Sequence, residues 1–282
     1  MKAVRIRKKQ ASGFGIVLLT LVIMAIFLFP IYIAFITSFK TPMEIAESIL
    51  ALPHKLSLSN YIEGMQKSNF SKSLFNSVIV TFPSVAMIVI FSAMGGYTIA
   101  RHSKKMILHR VMDRVYLSSL MIPFQIIMIA VYKTFKNLNL LNSLPGMILM
   151  LTGYSIAYST FLYVGFVKSV PKEMEEAALI DGCGPYLAFF KIVFPLLKPI
   201  SATVAALHVM WLWNDFNIAV ILLQRDSVRT LTVKQYYFFG EHTSDYGMAF
   251  AASIVCMMPV LLFFVFMQRY LVEGISAGAV KS

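Results

Sequence analysis

Residues 13–38 read GFGIVLLTLVIMAIFLFPIYIAFITS, and the uncharged run that contains them extends from Gln10 to Phe39. A helix rises about 1.5 Å per residue, so about 20 apolar residues cross a hydrocarbon core about 30 Å thick. Lipid offers no partner to an unpaired backbone group, so a run of this kind is stable there only as a helix. Lys2, Arg5, Arg7, Lys8 and Lys9 precede it, a basic flank like that of a signal peptide. Its apolar part is nevertheless too long for a cleaved core of about 7–15 residues, and it reads as a retained signal anchor.

Five further uncharged runs follow: Ser73 to Ala100, Val115 to Tyr132, Asn137 to Val167, Pro199 to Gln224 interrupted only by His208 and Asp215, and Tyr246 to Gln268. They predict an all-α polytopic bundle of six transmembrane helices, at about 13–38, 73–100, 115–135, 144–167, 200–223 and 246–268, in a single domain over 1–282. Composition agrees, with 58% hydrophobic and 13% charged residues and a mean hydropathy of +0.74. Globular chains hold about 45–50% apolar and about 25% charged residues. Too few charges remain to cover a water-facing surface, which argues against a soluble enzyme or a disordered tail. Cys183 and Cys256 alone leave little room for a disulfide framework or a zinc site. No GxxxxGK[ST], HExxH or GxSxG pattern occurs. The chain therefore reads as non-enzymatic, with no catalytic residue, metal or bound cofactor.

The formal charge of +12 is explained by orientation. An even number of spans puts both termini on one side. If that side is the cytoplasm, sixteen of the 25 Lys and Arg lie inside and nine outside, which satisfies the positive-inside rule. The basic residues form short clusters beside the spans without interleaved aromatic platforms, so no nucleic acid is expected as a partner.

The cytoplasmic loop at about 169–199 opens with SVPKEMEEAALIDGCGP over residues 169–185. Pro171 suits a helix start, the acidic residues Glu173 to Glu176 suit the positive end of a helix dipole, and Gly182 suits a left-handed stop. Met174, Ala177, Ala178 and Asp181 share one face by their spacing, and the small Ala side chains would let a partner approach closely. A second helical stretch is expected from Pro185 to a break at Pro195, with Phe189, Phe190, Ile192 and Val193 on its apolar side. A plain surface helix-turn-helix under the bundle fits the same residues.

Glu176-Ala177-Ala178, then Gly182, Ile192 and Pro195, resembles the EAA loop of permease subunits of binding-protein-dependent ABC importers, with Phe194 where the family usually has Leu. Thr37-Ser-Phe-Lys-Thr-Pro42, Ile122-Pro-Phe-Gln125, Trp213-Asn-Asp-Phe216, Gln268-Arg-Tyr270 and Gly278-Ala-Val-Lys281 resemble its carbohydrate-uptake branch. Within that branch they are most similar to the shorter, six-helix permease of maltose-type transporters. The resemblance implies a type I ABC importer transmembrane domain in the cell (plasma or inner) membrane. It implies as partners a second permease subunit, two copies of a cytoplasmic ABC ATPase and an extracytoplasmic sugar-binding protein, with ATP and Mg used by the ATPases. The loop helix would then be a coupling helix seated in the ATPase, through Glu176, Ala177, Ala178 and Gly182, with Glu175 and Asp181 beside them.

The fifth run carries His208, Trp211, Trp213, Asn214, Asp215 and Asn217. Counted from an entry near Ile200, His208 lies about 12 Å and Asp215 about 22 Å into the core. Ionisable groups at such depth face a cavity or a partner. Asp215 fits an interhelical hydrogen bond or a snorkel to the outer interface, and His208 fits packing against the partner subunit. The alternative is a sugar pathway, in which Trp211 and Trp213 stack on rings while Asn214 and Asp215 bond hydroxyls, but an interfacial aromatic belt also accounts for the two Trp. Gln125, Tyr154 and Tyr158 fit a cavity lining or ordinary helix packing. The segment from Gln224 to Asp245 is long for a connection and fits either a binding loop, which by resemblance would meet the sugar-binding protein, or a solvated cap. The segment from Lys40 to Lys72 is expected to form short surface helices, with Tyr61, Ile62 and Met65 on an apolar side. A proton-coupled carrier relaying through Asp215 and His208 would show internal repeats, and none is visible. A polyol or a glycerol-phosphate-type solute remains open as cargo.

Overall fold

The computed structural model describes residues 2–103, 106–241 and 245–279, and among these the side chains of 15–103, 106–237, 240 and 245–268. The N-terminal basic cluster from Lys2 to Lys9, Arg269, Tyr270 and the Gly278–Lys281 motif lie outside the described side chains. All regular structure among the described residues is helical. In chain order the helices are α1 (Lys2–Thr37), α2 (Pro42–Glu47), α3 (Ser59–Lys67), α4 (Phe70–His102), α5 (Ile107–Ser119), α6 (Phe124–Asn137) and α7 (Leu144–Val167). After these come α8 (Glu173–Ile180), α9 (Pro185–Ala188), α10 (Phe194–Leu196), α11 (Lys198–Trp213), α12 (Asn217–Leu222), α13 (Leu231–Glu241) and α14 (Tyr246–Ala279).

Among the described residues, four helices are long and apolar enough to cross a membrane: Gly15–Thr37 of α1, all of α4 and α7, and Tyr246–Gln268 of α14. Two further spans are broken. α5 and α6 meet at 107°, and the segment Pro185–Leu196 meets α11 at 75°. The count reaches six when each bent pair is taken as one span.

Three expectations are corrected by these breaks. The helix expected at 115–135 is two helices, because Pro123 has no N–H to give and stands extended (φ −63°, ψ 142°) at the entrance to α6. The helix expected at 200–223 stops at Trp213. Asn214 Nδ2 folds back onto Met210 O at 2.8 Å, and Asp215 Oδ2 accepts from Ala219 N at 3.0 Å, so α12 restarts under a new acidic cap. Pro195 does not break the second loop helix. It sits inside α10, and the turn before it widens to a π-helix over Phe189–Val193, with Phe194 N–H reaching Phe189 O.

The described chain divides into two compact units, 1–69 with 235–257, and 70–234 with 258–282. The first is organised around Lys40, which is buried, its ammonium donating to the carbonyls of Ser48 and Ile49 at 2.9 Å each. Asn60 Nδ2 donates to Ser38 O and Lys40 O at 2.9 Å, and the Ser38 and Tyr61 hydroxyls meet at 2.7 Å. Thr41 and Glu44 cap α2 reciprocally, with Pro42 at its first position. Backbone hydrogen bonds from Thr41 and His54 hold the Glu44 carboxyl down at about 2. The expected short helices are therefore present as α2 and α3, the chain at the end of α2 held by the Lys40 ammonium and α3 by Asn60 and Tyr61.

The second unit is built on α4 against α7. The buried residues of both helices include many small and hydroxyl ones, among them Ser84, Ser92, Ala93 and Gly96 on α4 and Ser155, Ser159 and Thr160 on α7. The two helices meet where Ser92 Oγ donates to Ile156 O at 3.4 Å and Gly96 faces Thr160 and Tyr163. Phe75, Phe82 and Phe91 of α4 face outward. This inverts the soluble pattern, since lipid solvates the Phe side chains while small residues let the backbones approach. At Gly96 a Cβ would collide with the Tyr163 Cβ and come within 3.1 Å of Val164 N and 3.2 Å of Thr160 O. The segment beyond α12 is no free loop. Asn76 Nδ2 donates to Ser227 O and Arg229 O, at 3.2 and 3.0 Å, and Leu231 N donates to Ser77 Oγ at 2.9 Å. Leu231 and Val233 are buried, so this part of the segment from Gln224 is a strap pinned on α4. The Asp226 carboxyl is held below its usual range, first by the hydrogen bond from Lys234 at 2.5 Å and then by Arg229.

Candidate functional site: the loop helix and a membrane cavity

α8 places three acidic residues, Glu173, Glu175 and Glu176, in its first turn, where the exposed N–H groups favour negative charge. It ends in a Schellman motif. Cys183 N donates to Ala178 O at 3.0 Å, Gly182 N to Leu179 O at 3.1 Å, and Gly182 takes φ +84°. A side chain at Gly182 would meet open space, so backbone conformation alone demands glycine there.

The six loop residues divide by direction. Glu176, Ala177, Asp181 and Gly182 are exposed, while Glu175 and Ala178 are buried, each about 7% exposed. Glu175 therefore offers nothing to a partner's surface. Its Oε1 is ion-paired with the Arg101 guanidinium, its Oε2 accepts from Tyr97 Oη at 3.0 Å, and Arg101 also donates to Val170 O at 2.9 Å. On the open side, Glu173, Met174, Ala177, Ala178, Asp181 and Ile192 border a hollow of about 510 Å³. The side chains of Met174, Leu179, Ile180 and Tyr186 are also exposed.

The second feature is an open cavity of about 640 Å³ within the membrane-spanning part of the 70–234 unit. Tyr154 and Tyr158 of α7 and His208 and Trp211 of α11 form its aromatic wall, and Ser119 and Ser155 contribute hydroxyls. The Tyr158 and Trp211 rings lie 5.3 Å apart, and His208 meets Trp211 edge-on at 5.3 Å. His208 is buried, its Nε2 paired with Ser159 Oγ at 2.6 Å and its Nδ1 without a hydrogen-bond partner. It is thus bonded within its own chain, not reserved for contact with another.

The seven residues named for a pathway separate at this cavity. Tyr154, Tyr158 and Trp211 line it; Gln125, Trp213, Asn214 and Asp215 do not. Trp213 is buried, two residues from Trp211 and so on another face of the helix. Asn214 and Asp215 are spent on the break between α11 and α12. Gln125 is exposed at the start of α6. Sequence reasoning missed Arg101 and Tyr97, which lie more than 70 residues from Glu175, and Ser159, whose bond to His208 carries no local signal. Among the described residues no three His, Cys, Asp or Glu side chains are placed to hold a metal.

Apolar helices of membrane length, hydroxyls buried between them, an aromatic cavity and a capped helix outside the bundle define a polytopic membrane protein of the transporter type. The model of the family described as binding-protein-dependent transport system inner membrane component matches residues 70–277. The chain belongs to that family and is a permease, a membrane subunit of an ABC importer rather than an enzyme. It is 34% identical to the probable starch degradation products transport system permease protein AmyC of Thermoanaerobacterium thermosulfurigenes, with all of both chains covered. It is also 34% identical to the melibiose/raffinose/stachyose import permease protein MelC of Bacillus subtilis, over 94% of this chain and 96% of the relative. A crystal structure of a bacterial ABC transporter involved in the import of the acidic polysaccharide alginate has a chain that superposes with a TM-score of 0.81. That match covers 94% of this chain and 98% of the other at 22% identity, a likeness of fold. The proton-coupled alternative falls with this membership.

Proposed function

We propose that the chain is one of two permease subunits of an ATP-driven importer of a sugar or oligosaccharide, acting over 1–282 as one transmembrane domain with both termini in the cytoplasm. Its partners are a second permease, two cytoplasmic ATPases that bind ATP and Mg, and an extracytoplasmic sugar-binding protein. The loaded binding protein docks outside, the ATPases close on ATP inside, the bundle opens outward, and hydrolysis resets it. The observation that carries this reading is α8, whose exposed Glu176, Ala177 and Asp181 and hollow form a docking surface beside the membrane, rigidly ended at Gly182. The small Ala177 side chain lets an ATPase surface approach the helix backbone.

Tyr154, Tyr158 and Trp211 are the part of the expected pathway that we retain, since aromatic faces stack on the apolar faces of sugar rings. Relatives named for starch degradation products and for melibiose, raffinose and stachyose support the cargo class. The test is purification of the assembled transporter followed by sugar-stimulated ATP hydrolysis in lipid vesicles. Stimulation by an oligosaccharide with its binding protein is expected, and its loss on Trp211→Ala with assembly intact supports the cavity. Stimulation by a polyol or a glycerol phosphate alone would replace the cargo assignment.

A further inference from the structure

The Glu175 side chain has no place on a docking surface, yet it is charged, buried and met by two groups of one helix end, the Arg101 guanidinium and the Tyr97 hydroxyl. On α4, Tyr97 and Arg101 are one helical turn apart and share a face. Together they touch the loop at three levels. Arg101 donates to Val170 O, just before α8, and the Arg101 guanidinium and Tyr97 hydroxyl hold the two oxygens of Glu175 within α8. The Tyr97 ring packs 5.3 Å from Phe189, in the π-helical turn after α8. The side chains of Arg101 and Glu175 are 8% and 9% exposed, so neither charge is solvated without the other. Removing one partner from such a pair leaves a buried unpaired charge, a penalty that holds the contact closed.

We propose that Tyr97, Arg101 and Glu175 form a clamp that makes the loop helix α8 and the cytoplasmic end of α4 one rigid lever. α4 is then the membrane helix through which ATPase movement enters the bundle. Arg101 and Glu175 are positioning residues: they touch neither cargo nor nucleotide, and act by denying α8 any motion independent of α4. The small-residue seam passes the displacement to α7, whose Tyr154 and Tyr158 line the cavity, so one rigid path runs from α8 to the cavity wall. This rests on α8 being the helix that meets the ATPase, and it can fail separately from that reading.

The experiment uses the assembled transporter in lipid nanodiscs, with Cys183 and Cys256 replaced by Ser and spin labels on Ile180→Cys of α8 and Phe91→Cys of α4. The expected result is one distance distribution, unchanged between nucleotide-free protein and protein with ATP and EDTA. Glu175→Gln and Arg101→Met are expected to broaden or shift it on ATP. They should also cut binding-protein stimulation of ATP hydrolysis at least about fivefold, the low end of a usual coupling factor. Tyr97→Phe removes only the 3.0 Å hydrogen bond and should lie between, which keeps the test open if a charge variant fails to assemble. The Arg101→Glu/Glu175→Arg exchange should restore the single distance. A wild-type distance that changes with ATP, or variants that keep both the distance and the stimulation, would overturn the clamp. ATPase docking is read separately, from co-purification of the ATPase chains with Glu176→Arg. Retained ATPase in that variant counts against the docking face and leaves the distance result to decide the clamp.

Discussion

α4 makes two junctions a single turn apart, and they are built on opposite principles. Around Gly96 it meets α7 through small residues and hydroxyls, and at Gly96 itself the helices are too close for an added carbon. At Tyr97 and Arg101 it meets the loop that carries α8 through a buried ion pair and a phenol. The difference follows depth. Within lipid an unpaired charge is costly at every stage of assembly, so contact is made by close packing and hydroxyl bonds. At the membrane margin both charges are hydrated until the loop docks, and a charge pair can then select one docking position. The first junction is therefore governed by volume and the second by charge.

Substitutions that change only volume or only backbone should break the two junctions separately. The largest effect is expected from Gly96→Leu, which drives a side chain into the Thr160–Val164 backbone and should cost about 3 kcal/mol or more, seen as loss of folded protein in detergent thermal denaturation. Gly182→Pro comes next. Proline holds φ near −65° where the chain needs +84°, so the loop should lose about 1–3 kcal/mol of local stability and transport should be abolished while the membrane helices still insert. Ser159→Ala leaves His208 Nε2 unpaired in the α7–α11 contact and should cost about 1–2 kcal/mol, measured the same way, with ATPase docking unchanged.

The smallest effect concerns pH and the N-terminal cap of α2. The folded-state value of Glu44 is depressed from 4.5 to about 2, so its contribution is full above about 4.5 and is lost as pH falls through about 2. Glu44→Gln should flatten that acid limb of a thermal-stability profile between pH 5 and 2, without altering either α4 junction.

The six apolar runs were legible because lipid imposes one requirement, length without charge, that a sequence displays directly. Their breaks were not, since nothing in an uncharged run reports direction. Pro123 marks a bend, but its size, 107° between α5 and α6, is not written in the residue type. The cap of α8 was legible at Gly182, where a local backbone need has a local residue. The opposite orientations of Glu175 and Glu176 were not, because the side facing in is decided by Arg101, a distant residue on another helix. Trp211 and Trp213 show an intermediate case: helical spacing already places them on different faces, but only the folded chain shows which one borders the cavity.

The central claim is that the outer face of α8 meets the ATPase, and site-directed cross-linking tests it most directly. With Cys183 and Cys256 replaced by Ser, Ala177→Cys in membranes holding the whole transporter is treated with a short bifunctional thiol–amine reagent. A covalent adduct between this chain and the ATPase is expected, formed in high yield and altered by ATP. Efficient labelling of the same cysteine in an intact assembly without any adduct would contradict the account.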